Sequence, residues 1–293
     1  VAKSTRTTYR QIAAALLVSF ACVWAAVAYQ ISKARVEALA SAQKETRNLA
    51  RIVSEQFASH IDHIDILLQT LRREWIEGDG RFAEEGVTAS DLLAPHAPAR
   101  LYVYDVYGGL KYTFPQTAPQ LDGNRLITKV DGAAADRLLI NATHPQHQGD
   151  PAFINLARTL RRADGSTMGL ICISVGGGNF IELYNALNLG AAGVITVGRA
   201  DGTVLIRSKH IGSATDEPMR RAGLLGAEGN FVDHSPVDGK ERLFSYRLVE
   251  RLGLYVAVGY ATNDLFASYF RQRAALMWGG VVCSAAFLLL AVV

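Results

Sequence analysis

Cysteine is scarce: the 293 residues hold three, Cys22, Cys172 and Cys283. Cys22 and Cys283 fall in long apolar runs near the two ends, so the stretch between them carries one thiol. It can close no internal disulfide, which excludes a disulfide-stapled scaffold. Cys172 lies in an apolar, strand-like run and is expected to be a small buried hydrophobe. Charge is thin as well. Asp, Glu, Lys and Arg make up 19% of the chain, below the roughly 25% of a soluble domain. Nor does either sign dominate: 30 basic residues face 27 acidic ones, and Lys3, Arg6 and Arg10 account for the difference. No basic field remains to draw a nucleic acid. An apolar content of 49% excludes a disordered chain.

Catalytic signatures are missing too. The sequence has no Gly-x-Ser-x-Gly elbow, no Cys-His signature and no His-Glu-x-x-His. Gly176-Gly177-Gly178, ahead of a helical stretch, matches neither a phosphate-binding loop nor a dinucleotide fingerprint. It reads as a flexible turn before a helix capped by Asn179. His60 and His63, three apart, read as part of a solvated helix face. His144, His147 and Asp150 form an H-x-x-H-x-x-D loop, a weak metal candidate for which the sequence shows no further protein ligand and no second-shell support. The expectation is no enzyme within this chain and no cofactor.

What the chain has in quantity is apolar run length. From Ile12 to Ile31 no charge occurs, about the 20 residues a helix needs to cross the hydrocarbon core. Lys3, Arg6 and Arg10 precede it, which puts the N-terminus in the cytoplasm by the positive-inside rule. Ala26-Val27-Ala28 fits a signal-peptide cleavage pattern. No Pro or Gly breaks the helix there, however, so an uncleaved anchor is the simpler reading. Ala274 to Val293 is a second uncharged run. Two spans would leave residues 32–273 outside the cytoplasm, and the protein is expected to continue beyond Val293 into a cytoplasmic output domain.

Between the spans, Ser32 to Glu77 holds no Pro or Gly. Its apolar stripe runs Leu49, Val53, Phe57, Ile61, Ile64, Leu68, Leu71, Trp75, steps that average close to 3.6. This predicts one long amphipathic helix stopped at Glu77-Gly78-Asp79-Gly80, with residues 32–48 as a stalk or dimer contact. The period then changes to two. Arg100–Asp105 with Leu110–Phe114, and Ala152–Arg161 with Met168–Val175, read as strand pairs. Gly193–Val197 with Thr203–Arg207, and Arg242–Val249 with Leu254–Tyr260, repeat that layout. Short helices are expected at Ser90–Leu93, Ala133–Leu139, Asn179–Leu187, Glu217–Leu225 and Asn263–Arg273. The arrangement predicts an α+β fold: a long N-terminal helix and two tandem sheet-and-helix units, flanked by two transmembrane helices. The boundaries are 1–11 cytoplasmic, 12–31 first span, 32–77 long helix, 78–188 and 189–262 the two units, 263–273 a juxtamembrane helix, and 274–293 second span.

The segment Ala157–Gly169 (A-R-T-L-R-R-A-D-G-S-T-M-G), followed by Asn185–Arg207 with its Gly-Arg-Ala-Asp201-Gly202-Thr turn, resembles the double Cache sensors. These are extracytoplasmic tandem PAS-like domains of bacterial receptors. The likeness covers about residues 36–270 and is greatest to those ahead of diguanylate cyclase domains. Gly176–Gly178 departs from it, since relatives usually carry polar or acidic residues there.

The resemblance implies a sensor in the bacterial inner membrane, with residues of about 32–273 periplasmic and its output through a diguanylate cyclase. Histidine kinase or chemoreceptor output is the alternative, as is a periplasmic protein-interaction module without a small-molecule ligand. It also implies a homodimer, membrane lipid around both spans, and a small-molecule ligand in the membrane-distal unit. Tyr102, Tyr104 and Tyr112 on the first hairpin and Asn155 and Arg158 on a later strand are the candidate contacts. Tyrosine offers an apolar body with a polar tip, and a strand arginine can clamp a carboxylate. By the two-residue period Tyr102 and Tyr104 share a face, whereas Asn155 and Arg158 do not. The family's amino-acid binders carry an Arg-x-Trp pair near the first strands; none stands among the first strands here, which disfavours amino acids.

Overall fold

The computed structural model describes residues 2–82, 99–118, 137–143, 153–162, 164–176, 192–208, 226–234 and 239–292. The expected helices at Ser90–Leu93, Asn179–Leu187 and Glu217–Leu225 lie outside the described residues. So do His144, His147 and Asp150.

One helix, α1, runs without interruption over Ala2–Glu77, as a stretch free of Pro and Gly allows. It ends where predicted: the amides of Gly78 and Gly80 donate to the carbonyls of Glu74 and Trp75 at 2.9 and 3.0 Å. The predicted stripe is the buried one. Val53, Phe57, Ile61, Ile64, Leu68 and Leu71 have no exposed surface, and each such side chain contributes roughly 1.5–3 kcal/mol when fully buried.

Ten strands follow: β1 (Ala99–Asp105), β2 (Leu110–Phe114), β3 (Leu139–Thr143), β4 (Phe153–Arg161), β5 (Thr167–Gly176), β6 (Val194–Gly198), β7 (Val204–Arg207), β8 (Glu228–His234), β9 (Glu241–Val249) and β10 (Leu254–Ala261). They form two five-stranded sheets of order β2-β1-β5-β4-β3 and β7-β6-β10-β9-β8. Adding five to every label of the first order gives the second, so the tandem repeat is one of topology. The strand at Leu139 replaces the C-terminal end of the helix expected at Ala133–Leu139. Its period-two run is only five residues, too short to stand out from a helix turn in sequence. Strand β8 was not expected either. Its Gly229, Asn230 and Asp233 weaken the strand signal, and pairing with β9 from Glu228↔Arg247 to His234↔Glu241 supplies the order.

Three hairpins share one turn. In Asp105–Gly109, Arg162–Ser166 and Arg199–Thr203 the first amide donates to the last carbonyl at 2.9 Å, and the fourth residue, a glycine, donates back to the first carbonyl. Those glycines, Gly108, Gly165 and Gly202, have φ of 82–88°, the left-handed region open to glycine at no steric cost. The register slips by one residue beside each turn, as a turn closed by a glycine bulge requires.

The chain divides into two compact units. One holds Thr46–Tyr260 and contains both sheets with the C-terminal part of α1. There α1 reaches the second sheet through Thr46, whose hydroxyl accepts from Ser245 at 2.6 Å, and through Glu55, 3.3 Å from Arg247. It reaches the first sheet through Asp65 on Arg158 and Trp75 against Tyr112. The other unit holds the two terminal stretches, up to Glu45 and from Ala261. After β10 the chain forms α2 (Thr262–Leu265) and α3 (Ala267–Val292), so the helix expected from Asn263 is broken at Phe266. Both α1 and α3 contain a segment long and apolar enough to cross a membrane. Leu17, Val18, Trp278, Val282 and Leu289 there are 63–70% exposed, surface that suits lipid. Trp24 Nε1 donates to Ser284 Oγ at 3.1 Å, tying the two segments together.

Candidate functional site

Strand register sorts the first sheet into two faces, because directly opposed residues of an antiparallel pair point the same way. Tyr102 opposes Cys172 and Thr113, Ala157 opposes Cys172, and Asn155 opposes Ser174 and Asn141. All of these form a front face. Leu101, Val103, Ile154, Leu156 and Arg158 alternate onto the back, the side of α1.

The front face is walled by Tyr102 and Tyr104, 0% and 2% exposed, whose rings stack with centroids 6.1 Å apart and planes 18° off parallel. Burial pushes the Tyr102 phenol up, against the charge and hydrogen bond of Arg100, so it stays a neutral hydrogen-bonding group. Arg100 itself lies over the Phe153 ring, 4.0 Å from the centroid, a cation–π contact. Ser174 Oγ donates to Asn155 Oδ1 at 2.6 Å, which fixes the amide's orientation. Among the described residues, the buried Thr113 Oγ1 has no hydrogen-bond partner.

A cavity of about 800 Å³ runs round the β3 edge of this sheet. Leu139, Asn141, Asn155 and Ala157 line it from the front, and Arg158, Asp65 and Asp62 from behind. The β6–β7 turn adds Arg199 and Asp201, and the β9–β10 connection adds Glu250–Gly253. Four arginines (137, 158, 199, 251) face four carboxylates (62, 65, 201, 250). Much of that charge is already placed. Arg158 forks onto Asp65 with Nε and Nη2 at 2.6 and 2.8 Å from its two oxygens. Arg251 pairs with Asp62 and donates to the Ala58 carbonyl at 2.8 Å, and Arg199 donates to the Ile140 carbonyl. The Asp201 carboxyl is held below the usual carboxylate range, first by the Thr203 amide at 2.8 Å. Such a lining suits a small polar molecule able to use both signs and amide contacts, and it is too polar for a purely apolar one.

Of the residues singled out in the sequence, Tyr102, Tyr104 and Asn155 share the front face. Arg158 points to the back, as the strand period required, yet it meets Asn155 at one cavity because that cavity turns the sheet edge. Its guanidinium is committed to Asp65. Tyr112 stands apart from the other two tyrosines. It opposes Val103 on the back face and packs with Trp75 and Phe82 at 5.9 and 4.8 Å. Burial first, then the charge of Glu74, push its phenol up. Asp62 and Asp65, beside His60 and His63 on α1, are ion-paired to Arg251 and Arg158. Arg100, Asn141, Ser174 and Arg199 went unnoticed because pairing across strands far apart in the chain brings them in. The chemistry on offer is binding. Burial pushes the Cys172 thiol up to about 12, leaving no thiolate nucleophile near neutral pH. Among the described residues no three His, Cys, Asp or Glu side chains group as a metal site would.

Residues 177–259 match the family model dCache_1_like, a histidine kinase sensor domain. The extracellular domain of a protein named as the histidine kinase rpHK1S-Z16 is 23% identical, with a TM-score of 0.62 over 78% of this chain and 98% of that one. The ligand-binding domain of the Pseudomonas fluorescens chemoreceptor CtaA, solved with L-isoleucine, is 15% identical, with a TM-score of 0.55 over 80% and 98%. The periplasmic sensory domain of the Campylobacter jejuni chemoreceptor Tlp1 is 12% identical, with a TM-score of 0.54 over 78% and 98%. No curated protein matches the chain. At these identities the likeness is one of fold: the chain has the double Cache sensor fold, seen in histidine kinases and chemoreceptors. The matches are to sensor and ligand-binding domains, not to catalytic ones.

Proposed function

We propose that this chain is the extracytoplasmic ligand-sensing module of a bacterial transmembrane signalling protein. A small polar molecule binds on the front face of the first sheet, between Tyr102, Tyr104 and Asn155, and extends into the edge cavity. Arg158 serves as the fixed rear wall through Asp65, and Tyr112 as core. The observation that carries this reading is the cavity itself. It places Asn155 in one space with Arg199 and Arg251 on two connections of the second sheet, so an occupant bears on both sheets at once. A ligand shifts a two-state equilibrium only by its differential affinity for the two states, and a space bounded by two sheets makes such a difference available. The signal then passes from β10 into α2 and α3 and across the bacterial inner membrane, in a parallel homodimer, to a cytoplasmic output. A diguanylate cyclase, a histidine kinase or a chemotaxis signalling domain fits that role.

The test is a thermal-unfolding screen of the full chain in mild detergent against amino acids, short dicarboxylates, sugars and polyamines. A true ligand at 100 times its Kd stabilises by about 2.7 kcal/mol. The stabilisation should vanish in Asn155→Ala and persist in Tyr112→Phe. A hit that is indifferent to Asn155→Ala places the site elsewhere, and a screen without hits favours a protein partner over a metabolite.

A further inference from the structure

Two contacts fix how the apolar parts of α1 and α3 run together. Trp24 Nε1 donates to Ser284 Oγ at 3.1 Å, and a Cβ built on Gly280 would stand 3.3 Å from Val27 Cγ2. A step forward along α1 therefore answers a step back along α3, and the two segments are antiparallel. With a rise of about 1.5 Å per residue, heights on both helices can be measured from the Trp24–Ser284 pair. The uncharged run Ile12–Ile31 is centred just before Trp24, so that pair lies near the middle of the hydrocarbon layer.

Tyr29 and Trp278, 68% and 70% exposed, stand roughly 8 and 9 Å above it, where amphipathic rings reach the membrane interface. Lys33, Arg35, Arg271 and Arg273 follow at about 14 to 20 Å, at or past the roughly 15 Å half-thickness of the hydrocarbon core. All four are exposed. The one acid in residues 32–40 and 267–273 is Glu37, and it is 3.8 Å from Lys33 Nζ. Arg35, Arg271 and Arg273 have no hydrogen-bond or ion-pair partner among the described residues. Three uncompensated guanidinium groups thus share one layer, on the side of a membrane where basic residues are ordinarily scarce. A guanidinium forks onto a phosphate through two parallel hydrogen bonds, and the layer these groups occupy is that of the lipid phosphates.

We propose that Lys33, Arg35, Arg271 and Arg273 form a collar that binds anionic phospholipid headgroups. The choice of leaflet rests on the reading of residues 32–273 as extracytoplasmic; the contact itself rests on the collar's charge and depth. Bound headgroups hold α1 and α3 at one level, so lipid charge bears on any movement of α3.

The probes are dioctanoyl phosphatidylglycerol and dioctanoyl phosphatidylcholine, titrated into the full chain in non-ionic detergent and read by native mass spectrometry. Every protein carries Lys3→Gln, Arg6→Gln and Arg10→Gln, so that the basic N-terminus does not contribute. Phosphatidylglycerol is expected to bind at least about fivefold more tightly than phosphatidylcholine, the effect of one cation at a membrane surface. Arg35→Gln, Arg271→Gln and Arg273→Gln together should erase that preference without lowering Tm, since these side chains hold nothing in the fold. Lysine at the same three positions should keep it. Equal preference in the parent and the glutamine variant overturns the proposal, as does no preference in the parent. Displacement of phosphatidylglycerol by equimolar glycerol 3-phosphate also overturns it, because a free phosphate would then be the occupant. Ser41→Cys, treated with a membrane-impermeant maleimide, should label in intact bacteria. Labelling only after lysis refutes the extracytoplasmic reading, and an unchanged lipid preference then leaves the headgroup contact standing.

Discussion

Replacing Asp65 by asparagine keeps the volume of the side chain and removes the charge that faces Arg158. The two side chains are 17% and 10% exposed and share two hydrogen bonds of 2.6 and 2.8 Å. Removing one partner of a buried pair costs roughly 3–5 kcal/mol, chiefly because the other charge is left without compensation. Residual exposure here and the amide's remaining oxygen reduce this to about 2–3 kcal/mol. For a unit of this size 1 kcal/mol moves the midpoint by about 2–4 °C, so Tm should fall by about 4–12 °C. Arg158→Met should cost a similar amount. The double variant should recover part of the sum, with a coupling of at least 1 kcal/mol, since two uncharged side chains leave no charge stranded. Near-UV circular dichroism of the full chain in detergent reads all four proteins. If Asp65→Asn shifts Tm by less than 1 °C, or the two losses simply add, the pair does not hold β4 to α1. Arg158 would then be available to a ligand.

Three further outcomes are expected. Gly169 has φ of +150° and a Cβ there would lie 1.9 Å from the Tyr104 carbonyl oxygen. Gly169→Ala should therefore separate β5 from β1 and abolish cooperative unfolding, whereas Gly165→Ala, with open space around it, should cost only about 1 kcal/mol for its positive φ; equal effects would refute the close approach. Cys172 should resist iodoacetamide at pH 8 in the folded protein and react fully in guanidinium, because its thiol is wholly buried and pushed up to about 12; mass spectrometry reads the label. Asp105, Asp164 and Asp201 are each held below their ordinary 3.8, chiefly by hydrogen bonds from Gly109, Ser166 and Thr203. Their stabilisation is full above the unfolded value and is lost as pH falls through the lower folded ones. Replacing all three by asparagine, which keeps the turn contacts but not the charge, should flatten the decline in Tm below about pH 4; an unchanged acid limb would count against the turns as its source.

The local rules written into the chain decided its elements. Absence of Pro and Gly over 76 residues, a 3.6-residue stripe and a Gly-Asp-Gly stop specify α1 to its last turn, because helix formation depends on near neighbours. Alternating apolar residues around Asp-Gly turns specify the hairpins for the same reason. Two features with weak local signals, β3 and β8, took their order from their partners β4 and β9. Tertiary structure alone decided the site. The stacking of Tyr102 on Tyr104 follows from strand period, but the separation of Tyr112 from them depends on the bulge at the hairpin. The union of Asn155 with Arg158 depends on β3 being an edge. Arg158 reads as a clamp for a ligand until Asp65, 93 positions earlier, is brought within 2.6 Å of it. A charge's partner is set by distance through space, and pattern along the chain carries no record of that distance.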